Sequence, residues 1–207
     1  MRNRALSNEI YTSLREDIIN LRLDDGTVIK EKTIASRFGV STTPVRDSLS
    51  RLCCDGYVEK LPNQGYIVRS FTLMECQDLF QYRRLLETAA ISIICKRATD
   101  SELESLYHET LKEKPEEDNP EGSANLNSQF HKRIAQLTRN SFIINSMDFA
   151  IDHTRRILTH DRSVFDYEFF KVPHIDIIEA IRARDAKKAQ LLLEKHILDT
   201  QAKVLLK

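Results

Sequence analysis

The stretch from Glu31 to Gly56 constrains this chain most. Ile34 and Phe38 stand four apart, which puts them on one face of a short helix over Glu31–Phe38. Gly39 follows where a helix C-terminus favours positive φ. After Val40-Ser41-Thr42, Thr43 is a natural N-cap, and Pro44 suits the first helical position, where no N–H is needed. Val45, Leu49 and Leu52 then mark the buried stripe of the next helix, which Gly56 ends.

The flanks complete a unit. Ile10, Leu14 and Ile18 make an apolar stripe on a helix over residues 7–21, broken by Asp24-Asp25-Gly26. Short strands at Tyr57–Leu61 and Tyr66–Arg69 surround the turn Pro62-Asn63-Gln64-Gly65, the pattern of a β-hairpin. Helix, helix, tight turn, helix, hairpin is the order of a winged helix-turn-helix, over residues 1–72. Beyond residue 72 strand signals stop. Thr72-x-x-Glu75 and Thr99-x-x-Glu102 are capping-box patterns that open helices over 73–98 and 100–113. Lys114–Ser123 is polar and carries Pro and Gly, as loops do. Helices over 124–138, 141–160, 166–183 and 186–206 complete an all-α bundle of about six helices over residues 73–207. The expected fold class is therefore mainly α.

Charge alone says little about partners, because 31 basic residues balance 31 acidic ones. Residues 1–72 hold 11 Lys/Arg against 9 Asp/Glu, an asymmetry of the right sign for nucleic acid but weak. Cys53, Cys54, Cys76 and Cys95 form no C-x-x-C pair and read as buried or half-buried free thiols of a reducing compartment. No apolar run spans a bilayer, and Met1-Arg2-Asn3-Arg4 does not lead into an apolar signal segment. A cytoplasmic protein without membrane partners is expected.

In a helix-turn-helix the second helix enters the major groove by its N-terminal residues. Here that end offers Ser41, Thr42, Thr43 and Arg46. Hydroxyls and free backbone N–H groups suit phosphate oxygens. Arg46 lies off the buried stripe, faces out, and can bond guanine O6 and N7 bidentately.

These residues carry a family resemblance. Glu31-x-x-Ile34-Ala35-x-x-Phe38-Gly39-Val40-Ser41-x-Thr43-Pro44-Val45-Arg46-x-x-Leu49-x-x-Leu52, then Gly56-x-Val58 and Pro62-Asn63-x-Gly65-x-x-Val68, resemble the DNA-binding domain of GntR-family regulators. The resemblance implies DNA contacts at Lys32, Ser41, Thr42, Thr43 and Arg46 and at the wing tip Asn63, Gln64 and Gly65. Thr42 and Gln64 stand where many members carry arginine, which should lower the salt slope by ~1 for each phosphate left without a cationic partner. The remainder resembles the FCD-type effector domain of the FadR subfamily, through Arg83-x-x-Leu86-Glu87-x-x-Ala90, Phe130-His131, Asn140, His174-x-x-Ile177-x-x-Ala180-Ile181 and Asp185-x-x-x-Ala189 leading to His196. This implies a ligand cavity within the bundle, often floored by a metal ion, and a homodimer.

Spacing reaches a similar site independently. His174 lies ten residues before the turn at Arg184-Asp185 and His196 eleven after it, so at ~1.5 Å per residue both sit at one level of an antiparallel helix pair. Asn127 and His131 share a face of another helix, one turn apart. Three imidazoles and an oxygen donor can hold a divalent transition metal such as Zn, Ni or Mn with positions left open. Asn127 stands where the family usually has aspartate; its carbonyl can ligate but brings no charge. Arg83 can pair bidentately with a carboxylate effector, or with Glu87 at i, i+4.

The function expected is a sequence-specific DNA-binding transcriptional regulator whose operator affinity answers to a small-molecule, carboxylate effector. It is not expected to be an enzyme. Two other readings are a metal-dependent hydrolase built on the three histidines, which lacks a well-placed general base, and a winged helix that binds protein and no operator.

Overall fold

A computed structural model describes residues 2–112, 120–160 and 167–205. The chain divides into two compact units, residues 1–71 and 72–207.

The first unit runs α1 (Arg2–Ile19), β1 (Val28–Ile29), α2 (Glu31–Phe38), α3 (Thr42–Cys54), β2 (Val58–Leu61) and β3 (Gly65–Val68). Its core is built from the stripes read in the sequence: Ile10, Leu14 and Ile18 of α1 meet Val45, Leu49 and Leu52 of α3, closed by Tyr57, Tyr66 and Val68. Gly39 takes φ 63° and ends α2, its N–H returning to the carbonyls of that helix. Three expectations shift. Helix α1 begins five residues earlier than residue 7. Helix α3 begins at Thr42 with Ser41 in the extended N-cap conformation, so Thr43 lies inside the helix and Pro44 is its third residue. Proline is accommodated there because none of the first four helical N–H groups has an intrahelical acceptor. Finally, the hairpin is one part of a three-stranded antiparallel sheet in the order β1-β3-β2, with Val28 opposite Ile67 and Ile29 opposite Tyr66. Strand β1 is only two residues long, too short for a periodic signal. Gly65 has φ 110°, and a β-carbon on it would stand 2.4 Å from the Ile29 carbonyl oxygen, so the β1–β3 approach requires glycine.

The second unit contains α4 (Leu73–Arg97), α5 (Asp100–Lys112), α6 (Pro120–Leu137), α7 (Ser141–Thr159), α8 (Tyr167–Arg182) and α9 (Ala186–Leu205), with no strand among the described residues. Both capping boxes form: Thr72 accepts from the Glu75 N–H at 3.2 Å while the Glu75 carboxylate accepts from the Thr72 N–H at 2.9 Å. The Thr99–Glu102 pair repeats this at 3.3 and 2.8 Å. Helix α6 begins at Pro120, inside the segment read as a loop; residues 114–119 of that segment, and residue 113 at the end of the helix expected before it, lie outside the described residues. Helix α4 is the central element, packed by α6, α7, α8 and α9. Ile91, Ile134, Ile178, Ile181 and Leu193 are fully buried in the shared core. Arg184 turns α8 into α9 with φ 59°, and its guanidinium donates to the Ala98 carbonyl at 2.8 Å, offsetting the strain of a left-handed arginine. Asp185 then accepts from the Lys188 N–H at 3.0 Å and opens α9. All four cysteines are free; Cys76 and Cys95 are buried and Cys53 half-buried, whereas Cys54 is exposed, contrary to expectation.

Candidate functional site

In the first unit, Ser41, Thr43 and Arg46 are exposed and Thr42 half-buried at the N-terminal end of α3. Arg46 faces solvent as its place off the buried stripe requires, yet it is not a free charge. Its Nε lies 3.1 and 3.2 Å from the two carboxylate oxygens of Glu31, and its Nη2 lies 2.8 Å from Oε2. The hydrogen bonds from Arg46 hold the Glu31 carboxyl below its ordinary range. Glu31 also lines a groove between α2 and the wing, together with Lys30, Lys32, Lys60, Asn63, Gln64 and Gly65. The expected contact residues Lys32, Asn63, Gln64 and Gly65 thus share one groove, and Glu31 joins it to Arg46. Spacing reveals neither Glu31 as a partner of Arg46, fifteen residues away, nor Lys30 as a neighbour of the wing tip. The one hint in the sequence is that a lone acid stands beside Lys30 and Lys32.

In the second unit, α6 supplies His131, α8 supplies His174 and α9 supplies His196, and their ligand atoms all lie within 4.8 Å of one another. The level pairing of His174 with His196 holds across the α8–α9 turn: their Nε2 atoms are 3.2 Å apart. His131 Nε2 is 3.3 Å from His196 Nε2. Nitrogens at ~2.0–2.1 Å from a tetrahedral zinc are separated by about 3.3 Å, so these spacings are those of ligands around one ion. Phe130 stacks on His174 at 3.8 Å between ring centroids and fixes that ring. Pro173 immediately precedes His174 inside α8 and withholds one N–H from that helix without ending it.

Glu87 is the residue that organises the cluster. One carboxylate oxygen accepts from Arg83 Nε, and the other lies 2.5 Å from His131 Nδ1. Arg83 and Glu87 side chains are 2% and 0% exposed. Burial holds the Glu87 carboxyl above its ordinary value, and the neighbouring Arg83 guanidinium offsets only part of that rise. When its carboxyl is ionised, Glu87 takes the Nδ1–H of His131 and leaves Nε2 as a bare lone pair facing the other rings, the arrangement common beside metal-bound histidine. Burial also drives all three imidazoles well below their ordinary pKa, with the Arg83 charge adding to it. They are therefore neutral, as ligands must be.

Arg83 pairs with Glu87 through Nε. Its Nη2 is buried with no hydrogen-bond partner, and so is Asn127 Oδ1, one turn before His131 on α6. Two orphaned polar atoms of opposite character in this part of the bundle fit a ligand that accepts from one and a donor or cation that meets the other. The residues present therefore suit a divalent transition ion with His131, His174 and His196 as its protein ligands. The remaining histidines, His108, His153 and His160, lie outside this cluster.

A winged helix-turn-helix and a helical unit with a polar site in its interior define a DNA-binding transcriptional regulator. The chain belongs to the gntR family of bacterial regulatory proteins with an FCD domain: residues 6–68 match the gntR family model and residues 78–199 the FCD domain model. It is 29% identical over 183 residues to the Nta operon transcriptional regulator of Aminobacter aminovorans, covering 83% of each chain. It is 24% identical to the HTH-type transcriptional repressor RspR of Escherichia coli K12, covering 96% of this chain and 89% of that one. Among solved structures, a GntR transcriptional regulator from Rhodococcus sp. RHA1 superposes with TM-score 0.79 at 22% identity, over 96% of this chain and 97% of that one. E. coli McbR/YncC does so with TM-score 0.79 at 17% identity, over 96% of each chain. At those identities the structural likeness concerns the fold. None of the helices among the described residues is long and apolar enough to cross a membrane.

Proposed function

We propose that this regulator senses a carboxylate-bearing small molecule through a metal centre in its helical unit and changes its operator affinity in response. The convergence of the three histidine Nε2 atoms, with Glu87 holding His131 in the ligating tautomer, carries the reading. His131, His174 and His196 would hold one divalent ion, Zn, Ni or Mn, and Asn127 would be a weak fourth ligand or a bystander. When bound, such an ion supplies an electrophilic position for a carboxylate oxygen. Arg83 keeps Nη2 for the ligand while Nε stays with Glu87. The site is read as a sensor and not as a hydrolase, because it shares its chain with a DNA-binding unit that matches the gntR family of bacterial regulatory proteins.

At the DNA end, Ser41, Thr42, Thr43 and Lys32 would contact phosphates, Arg46 a base edge, and Asn63, Gln64 and Gly65 the adjoining groove. The active form is read as a cytoplasmic homodimer on a pseudo-palindromic operator, since one reading helix covers few base pairs and two-fold symmetry in the protein is mirrored in its site. Exposed Leu85 of α4 and Leu191 of α9, on the two helices that the Arg84–Glu194 ion pair joins, support a subunit contact there. An effector can move the equilibrium between dimer geometries only by its differential affinity for them.

The test joins the two ends. Duplexes bound by the protein are selected from a random pool, and operator affinity is then measured with zinc, with chelator, and with a library of carboxylic acids. Effector-dependent release that needs the metal and disappears in His196→Ala supports the proposal. No metal uptake in protein purified without a histidine tag, together with no stabilisation by Zn, Ni or Mn, refutes it.

A further inference from the structure

We infer that Glu31 is the positioning residue of the DNA-reading arginine, holding the Arg46 guanidinium so that only its base-reading edge is available. The inference rests on the proposed role of Arg46 at a base edge. A guanidinium carries five N–H groups in a rigid plane. Two edges of that plane can each engage a pair of acceptors: the side edge, formed by Nε and Nη2, and the end edge, formed by Nη2 and Nη1. Glu31 occupies the side edge, with Oε1 and Oε2 at 3.1 and 3.2 Å from Nε and Oε2 at 2.8 Å from Nη2. The end edge remains complete, and it is the edge that matches guanine O6 and N7.

The clamp crosses between the two helices of the motif. Glu31 is the first residue of α2, and Arg46 is the fifth of α3. An arginine side chain is long and loses much rotamer freedom when fixed. With its side edge tied to the neighbouring helix, that freedom is spent before DNA arrives, and a bidentate base contact forms from a prepared geometry. The Glu31 carboxylate also sits in the groove with Lys30, Lys32 and Lys60. It subtracts one charge from the surface that meets phosphates, so it weakens sequence-independent attraction while sharpening the base contact. Both effects favour discrimination over raw affinity, and they can be separated.

Two variants do so on the full-length protein. Glu31→Gln removes the charge and leaves a single acceptor oxygen, with an amide NH2 opposed to the guanidinium. Glu31→Asp keeps the charge at the start of α2, where an acid is favoured, but withdraws the carboxylate by one methylene. The probes are the duplexes that wild type selects from a random pool and scrambled duplexes of equal length, titrated across a salt series. Thermal melts establish that each variant is folded. The expected result is that Glu31→Gln loses discrimination by at least about fivefold, the lower end of a bidentate base contact, while binding scrambled DNA more tightly. Glu31→Asp should lose discrimination with scrambled binding unchanged. If Arg46→Ala collapses discrimination but both Glu31 variants keep the wild-type ratio, the positioning role is wrong. If Arg46→Ala itself leaves the ratio unchanged, the base-reading assignment of Arg46 fails and the inference falls with it.

Discussion

Glu87→Gln is the most informative single change in the helical unit. It preserves side-chain volume, so no cavity opens, but it removes one charge from an ion pair whose side chains are 2% and 0% exposed. What remains is the Arg83 cation, enclosed and facing a neutral amide. Breaking a buried pair from one side costs about 3–5 kcal/mol, because the other charge is left uncompensated. For a chain of this size that is a fall in Tm of roughly 6–20 °C. The same substitution also releases His131. An amide cannot enforce the Nδ1–H tautomer while serving Arg83, so metal affinity should drop by roughly 10–100-fold, as it does when a metal-bound histidine is deprived of its hydrogen-bond partner. The double variant Arg83→Met/Glu87→Leu separates these effects. With both charges gone it should recover most of the stability but none of the metal affinity. Thermal melts by circular dichroism in chelator read the first quantity and zinc calorimetry the second. A loss under about 2 °C with unchanged zinc affinity in Glu87→Gln, or a double variant as unstable as the single one, would refute the reasoning, since the charge would then not be what Glu87 contributes.

Three further expectations can be checked directly. Asn127→Asp adds a negative oxygen donor at a buried position whose Oδ1 has no partner; if it reaches the ion, zinc affinity should rise, and calorimetry of both proteins decides. The Glu102 carboxylate is held down to about 2 by the Thr99 backbone N–H, with Arg139 and the Thr99 hydroxyl assisting. Its folded value lies below its unfolded one, so its stabilisation is present above about pH 4.5 and lost as pH falls toward 2; Glu102→Gln should flatten the urea midpoint across that window. Gly65→Ala would press a methyl group against the Ile29 carbonyl at a φ of 110°; it should lower Tm and weaken DNA binding together, and a variant with unchanged Tm would show that the strand approach is less demanding than described.

The sequence by itself determined the local architecture. Helix stripes such as Val45, Leu49 and Leu52, the glycine at the end of α2, the hairpin around Pro62–Gly65 and both capping boxes are written in residues three to five apart, and chain geometry at that range admits few alternatives. The level pairing of His174 with His196 was legible for the same reason, since two helices joined by a short turn act as a ruler. The tertiary structure decided what depends on chain segments distant in sequence. Strand β1 exists only because β3 passes beside it, and a two-residue strand has no periodicity of its own. Ser41 and not Thr43 opens α3, a choice among adjacent hydroxyl residues that each suit the position. The sequence offered Arg46 as an exposed charge; the fold places Glu31 against it. It also offered Glu87 as an ordinary i, i+4 partner of Arg83, a pair worth a few tenths of a kcal/mol on an open helix face. Enclosure by α6 and α9 turns that pair into a buried charge bridge that sets the tautomer of His131. Spacing along one helix reports which side chains can meet; only the packing of the other helices sets the dielectric in which they do, and with it the strength and the role of the contact.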